Sequence, residues 1–266
     1  MDRPPFTTLR CAREGPTLRL TLGRPAVKNA IDGRMLREVR EALALAAADP
    51  EARVVCIDSA CPGAFSAGID VAWVKDMTGV EAREVGKELH RTFLALRTVE
   101  RPVVAAIDGL CLGAGLELAL SCDLVIASSR SRFGLPNIHR GIPAIVEAAI
   151  LPMAVGLQGA RELAFTGEPW SAAKAEQRGL VTAVVEPEAL AAEVERWCGA
   201  LAEKSAAGLA VQKEIIHAWM TTDLEAAIDF SIAAVVTSFS TRDQKEAMTA
   251  FLEKRPARLE REAPGG

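Results

Sequence analysis

Apolar positions along this chain switch repeatedly between a period of two and a helical period. Residues 7–12 and 17–22 alternate apolar with polar side chains around Glu14-Gly15-Pro16, which predicts a β-hairpin. Met35, Leu36, Val39, Ala42, Leu43 and Ala46 then recur at helical spacing, with Asp32 as the cap and Asp49-Pro50 as the stop. The run RVVCID at 53–58 predicts a strand, and 80–96 a helix carrying His90. Between 101 and 128 the pattern changes fastest: an apolar strand at 103–107, a break at Asp108-Gly109, a tight turn through Gly113-Ala114-Gly115, a helix from Leu116, and another strand. Beyond it the pattern predicts a brief strand at 131–134, a loop from 135, an apolar helix at 145–152 around Glu147, short helices at 159–165 and 171–178, and a last strand at 180–185.

From 187 to 255 only helical runs follow. Their apolar stripes, such as Leu224, Ile228, Ile232 and Val235, suit packing within the chain or against another subunit. The tail 256–266 is charged and rich in proline and glycine, as a frayed end would be. The order of elements predicts an α/β protein in two parts: a core over 1–186, in which strand-strand-helix units recur loosely, and a helical region over 187–266.

Composition narrows the partners. Half of the residues are hydrophobic and 25% are charged, as in an ordinary globular chain, and the formal charge of -4 gives no general attraction to nucleic acid or to anionic lipid. No run reaches the about 18 apolar residues of a membrane span, and the N-terminus has no signal-peptide core, so a cytoplasmic location with no membrane partner is expected. The six cysteines form no C-x-x-C pair and read as small buried thiols. The three histidines, His90, His139 and His217, are too scattered to predict a metal site.

Several chemistries fail on spacing. GAGLEL at 113–118 starts like a dinucleotide fingerprint but has Leu118 at the third glycine position. No Lys-Ser or Lys-Thr pair follows the glycines as in a P-loop, and Ser66 lies outside a G-x-S-x-G elbow. What remains is two glycine-flanked loops, one after the strand at 53–58 and one after the strand at 103–107. Each can offer a backbone amide to one oxyanion, the means by which an enolate or a tetrahedral thioester intermediate is stabilised. Glu117 stands within a turn of the second loop, so an anion-holding backbone and an ionisable side chain come from one local structure.

Taken together, Lys28-Asn29-Ala30, AFSAGID at 64–70, the stretch 101–128 with Cys122-Asp123, and AFLEKRP at 250–256 resemble the crotonase, or enoyl-CoA hydratase/isomerase, superfamily in order and spacing over nearly the whole chain. The resemblance implies a spiral of strand-strand-helix turns with a C-terminal helical trimerisation region, assembled as a trimer or a dimer of trimers. It implies an acyl-CoA thioester substrate, with coenzyme A arriving as part of the substrate and no separate cofactor. The amides of Ile69 and Ala114 would hold the thioester oxygen. Ala67, Gly68 and Asp70 would shape the loop beside adenine and pantetheine, Ala26 and Lys28 would line the coenzyme A mouth, and Phe251 and Lys254 would reach coenzyme A, often across a subunit boundary.

Hydratases of this family use two glutamates. Glu117 matches the first, but where the second stands in a Pro-Glu pair this chain reads Pro136-Asn137. Asparagine can hold a water or a carbonyl but cannot exchange a proton as a carboxylate does. Three readings follow: a one-base enzyme in which Glu117 moves a proton beside the thioester, as in double-bond isomerisation; a hydratase in which Glu147, or water on Asn137, assists Glu117; and a coenzyme A-binding subunit without catalysis. Glu147 itself also reads as a charge on a helix surface or an interface, and His90 and His139 would contribute only if the fold brought them inward.

Overall fold

The computed structural model describes residues 6–259. The chain opens with the predicted hairpin, β1 (Leu9–Glu14) and β2 (Thr17–Leu22), followed by α1 (Gly33–Ala48), whose Asp32 cap accepts from the Met35 amide at 2.8 Å. Then come β3 (Val54–Ser59), β4 (Ala64–Ser66), a single turn α2 (Val71–Val74) and the long α3 (Gly79–Thr98), which starts in a Thr78/Glu81 capping box. The pattern repeats as β5 (Val103–Ile107), β6 (Leu110–Leu112) and α4 (Ala114–Leu120), and again as β7 (Leu124–Ser128), β8 (Arg132–Gly134) and α5 (Leu151–Thr166). The core closes with β9 (Trp170–Ser171), α6 (Ala172–Gln177) and β10 (Ala183–Val185), and four helices follow: α7 (Leu190–Ala202), α8 (Ala206–Thr221), α9 (Leu224–Phe239) and α10 (Arg242–Leu252).

Each repeat sends its first strand to one sheet and its second to another, which makes the spiral. The large sheet runs β1-β2-β3-β5-β7-β10, parallel from β2 onward, and the small sheet runs β4-β6-β8-β9. Period-two alternation sorts the buried side chains. Val55, Ile57, Val103, Ala105 and Ile107 face the main core with Met35, Phe93 and Leu116, whereas Val54, Cys56, Val104, Ala106 and Ile126 face Val194 and Cys198 of α7. The sheet is therefore covered on both sides, and its strands read as continuous apolar runs.

Four local expectations change. The helix expected at 145–152 is irregular chain, then a 3-10 turn (Glu147–Ile150), with α5 beginning at Leu151; Pro152 stands in the first turn, where proline starts helices, so it opens α5 where the pattern had it close one. The separate helix expected at 159–165 is the second half of α5, beyond a kink at Gly156 (φ 72°). The loop at 135–137 runs into a 3-10 turn, Pro136–Arg140, and the small-sheet strands β4 and β6 lie inside what read only as glycine turns.

The helical region behaves differently from the core. α8 packs on α3, α9 on α8 and α10 on α9, and α9 leaves Leu224, Ile228, Ile232 and Val235 exposed in the single chain. No single helix among the described residues is long and apolar enough to cross a membrane. Of the expected frayed tail, 256–259 is described, with the Arg258 amide donating to Glu246, and the rest lies outside the described residues.

Candidate active site

The two glycine-flanked loops meet. A Cβ on Gly68 would stand 2.9 Å from the Leu112 carbonyl oxygen and 3.5 Å from the Gly113 Cα, so the backbones approach as closely as only glycine permits. Gly68 also sits at φ 99°, a left-handed conformation that other residues rarely adopt. The 67–70 loop is stitched to the segment before α1. Ala67 donates to the Lys28 carbonyl (2.9 Å), Ile31 to the Gly68 carbonyl (2.7 Å) and Asp70 to the Ile31 carbonyl (2.8 Å). Gly113 in turn donates to the Gly134 carbonyl at 2.9 Å, tying the second loop to the end of β8.

This stitching leaves two backbone amides over. Ala114 is the first residue of α4 and has no partner within the helix, and Ile69 points its N–H away from its bridge to Ile31. Neither amide has an acceptor among the described residues. They belong to loops in direct contact, an arrangement suited to one shared oxyanion.

Asn29 organises this wall, and nothing in the spacing of apolar residues announces it. It is fully buried at φ 53°; its Oδ1 accepts from the Arg24 amide (2.7 Å), and its Nδ2 donates to Ser59 Oγ (2.8 Å) and the Phe65 carbonyl (3.0 Å). Ser66 Oγ donates to the Asn29 carbonyl at 2.7 Å and accepts from the Gly68 amide at 3.2 Å. In the sequence Asn29 stood out only within the Lys28-Asn29-Ala30 motif, and asparagine's tolerance of a left-handed backbone suits it to the position.

Glu117, in the first turn of α4, is 3% exposed, and its Oε2 accepts the Glu147 amide at 3.2 Å. Burial pushes its carboxyl up to about 7; the neighbouring Glu147 charge acts in the same direction, while the amides of Glu147, Val146 and Ala148 oppose it. A carboxyl poised there both takes and returns a proton near neutral pH.

Of the two expectations for Glu147, assisting acid or helix-surface charge, the second does not hold. Glu147 is 3% exposed, its Oε1 accepts from Arg97 Nη1 at 2.8 Å and lies 2.9 Å from His90 Nδ1. Asn137 lies beside the second glycine loop, its Oδ1 3.2 Å from where a Cβ on Gly113 would stand. His90 is drawn to Glu147 while remaining on the surface, and His139 lies against Gly167, away from the loops.

Of the other expected residues, Ala67, Gly68, Ile69 and Asp70 form the loop described, and Ala26 and Lys28 stand exposed beside it. Asp70 is committed to structure: its carboxylate caps α2 through the Ala72 amide (3.1 Å) and pairs with Arg24 at 3.0 Å. Phe251, 81% exposed, and Lys254 stand at the end of α10, which packs on α9 and faces solvent.

A family model described as enoyl-CoA hydratase/isomerase matches residues 13–262. The chain belongs to the enoyl-CoA hydratase/isomerase family. Its relatives in that family include the crotonyl-CoA hydratase of Syntrophomonas wolfei, 36% identical over 239 residues (90% of this chain, 92% of the relative). The short-chain-enoyl-CoA hydratase of Clostridium acetobutylicum is also 36% identical, over 91% of this chain and 94% of its own. Among solved structures, an enoyl-CoA hydratase subunit I of Geobacillus kaustophilus superposes with a TM-score of 0.92 at 33% identity, covering 97% of this chain and 100% of that one. The spiral of this enoyl-CoA hydratase/isomerase family member is thus the shared fold, and what distinguishes the chain must be sought in its side chains.

Proposed function

We propose that this enzyme acts on an acyl-CoA thioester by one-base chemistry: Glu117 takes a proton from the carbon beside the thioester and returns it along the chain, isomerising a double bond. The amides of Ile69 and Ala114 hold the thioester oxygen while it carries enolate charge. No other group is asked to exchange a proton. The observation that carries this reading is the pairing of a buried Glu117, poised near neutrality, with an asparagine, Asn137, at the second glutamate's position.

Coenzyme A enters as part of the substrate, with Ala26 and Lys28 at its mouth and Ala67, Gly68 and Asp70 along its path. Phe251 and Lys254 reach it from a neighbouring subunit of a homotrimer, or of a dimer of trimers. The apolar residues that α9 leaves exposed in the single chain, Leu224, Ile228 and Ile232, support that assembly.

A second reading, hydration with a water held on Asn137, is favoured by the two hydratase names among the 36% identical relatives. The reading in which Glu147 supplies the missing acid fares worse, because Arg97 already engages its carboxylate. Purified protein incubated with 2-enoyl- and 3-enoyl-CoA separates these: isomerisation leaves product mass unchanged, and hydration adds one water. Isomerisation of the 3-enoyl substrate is expected, with Asn137→Glu gaining hydration by about 10² or more, the lower range of acid-base assistance. Rapid hydration by the unaltered protein would overturn the one-base reading, and tight coenzyme A binding without turnover would replace it with a binding subunit.

A further inference from the structure

Behind Glu117, two distant segments converge on one carboxylate. Arg97 and His90 both come from α3, two turns apart, and both reach Glu147 Oε1. Glu147 Oε2 is buried and has no hydrogen-bond partner among the described residues. A carboxylate so buried, with one oxygen bare, costs stability, and an apolar side chain of similar size would pack there more cheaply. The charge therefore needs an explanation other than holding the fold together.

The backbone of the same residue supplies one. The Glu147 amide donates to Glu117 Oε2, so residue 147 is tied by its side chain to α3 and by its main chain to the carboxyl of α4. The turn between has few other anchors. Residues 141–143 and 145 are exposed, and only four residues, Glu147–Ile150, form the 3-10 turn. Val146 and Ala148 pack on the core beside it, but the only side-chain hold on residue 147 itself among the described residues is the one that Arg97 and His90 supply.

We infer that Glu147 is a positioning residue: Arg97 and His90 clamp its carboxylate, and through the turn they hold its amide on Glu117 and set the proton affinity of that group. The inference rests on Glu117 being the acid-base. The charged and titratable groups that face Glu147 are Arg97 and His90 from α3, Glu117 from α4, and, beyond Arg97, His217 from α8, which burial and the Arg97 charge hold below the usual histidine value. The first two turns of α5, Leu151 to Gln158, carry no charged side chain. The balance between Arg97 and Glu147 is therefore the local lever.

The two members of the pair should act in opposite directions. Glu147→Gln keeps the shape and the amide but removes a negative charge and leaves Arg97 unbalanced, so Glu117 becomes more acidic. Arg97→Met leaves the Glu147 charge bare, and Glu117 becomes less acidic. The test is the pH dependence of kcat/KM for exchange of the substrate's α-proton into heavy water. The acid-side midpoint is expected to fall by about one unit in Glu147→Gln and to rise by about one unit in Arg97→Met, the usual size for a neighbouring charge. Arg97→Lys should return it most of the way. Lower rates with an unmoved midpoint in both Glu147→Gln and Arg97→Met would make the pair merely structural and overturn the inference. Glu147→Gln, which keeps the side chain's shape, decides the matter by itself if Arg97→Met does not fold. Loss of exchange in Glu147→Gln as complete as in Glu117→Gln would instead make Glu147 a second acid. Undiminished exchange in Glu117→Gln would sink the reading beneath the inference, and that result is separable from both others.

Discussion

The two walls of the site are built by different means. The wall at 64–70 and 110–115 is backbone against backbone: glycines at van der Waals limits, three main-chain bonds from 67–70 to the segment at 28–31, and the buried Asn29 behind them. The wall at 137–150 is a sparsely bonded turn held by side chains, with a buried Arg97–Glu147 pair at its centre. Rigid donors suit an oxyanion, whose position is fixed by the thioester. Adjustable side-chain charge suits an acid-base, whose proton affinity must be tuned. On the proposed one-base reading, the comparison makes binding of the oxygen and choice of the reaction separable within this site.

That separation is breakable by mutation. Ala114→Pro removes one amide at the first helical position, where proline is tolerated, and is expected to lower kcat about 10² to 10³-fold while the fold and the acid-side midpoint stay put; a moved midpoint would mean that the walls are coupled. A pH series on stability probes the other wall. The folded-state value of Glu117, about 7, lies above the ordinary 4.5, so its contribution is fully present below pH 4.5 and is lost as pH rises through 7. Glu117→Gln lacks this loss and should be the more stable protein above pH 7, by about 3 kcal/mol at most. Chemical denaturation at pH 5 and pH 8 checks the sign. Gly68→Ala should cost about 2 kcal/mol, because it sets a Cβ against the Leu112 carbonyl at an unfavourable φ. Its damage should appear in melting and in the oxyanion wall, with little change in the midpoint of any surviving activity.

The backbone wall was the more legible in the sequence. Glycines and small residues after short apolar strands declare a close approach, and the large sheet, α1 and α3 followed from periodicity almost residue by residue. The three-residue strands β4 and β6 did not, because runs so short carry no period to read. Asn29 was visible only as part of a motif, since its bonds join residues up to 37 positions apart. Glu147 was left open between an assisting acid and a helix-surface charge because its partners, 50 and 57 positions away on α3, leave no local mark on its own segment. Asn137, by contrast, was plain from the sequence, as the residue that stands after Pro136.

The central claim is that Glu117 alone exchanges the substrate proton while the amides of Ile69 and Ala114 hold the thioester oxygen. Its most direct test is mass spectrometry of a short 3-enoyl-CoA incubated in heavy water with the unaltered protein and with Glu117→Gln. Deuterium should enter the acyl chain without addition of water, and the Gln variant should slow that entry about 10² to 10⁴-fold. Equal deuterium entry in the two proteins would contradict the account.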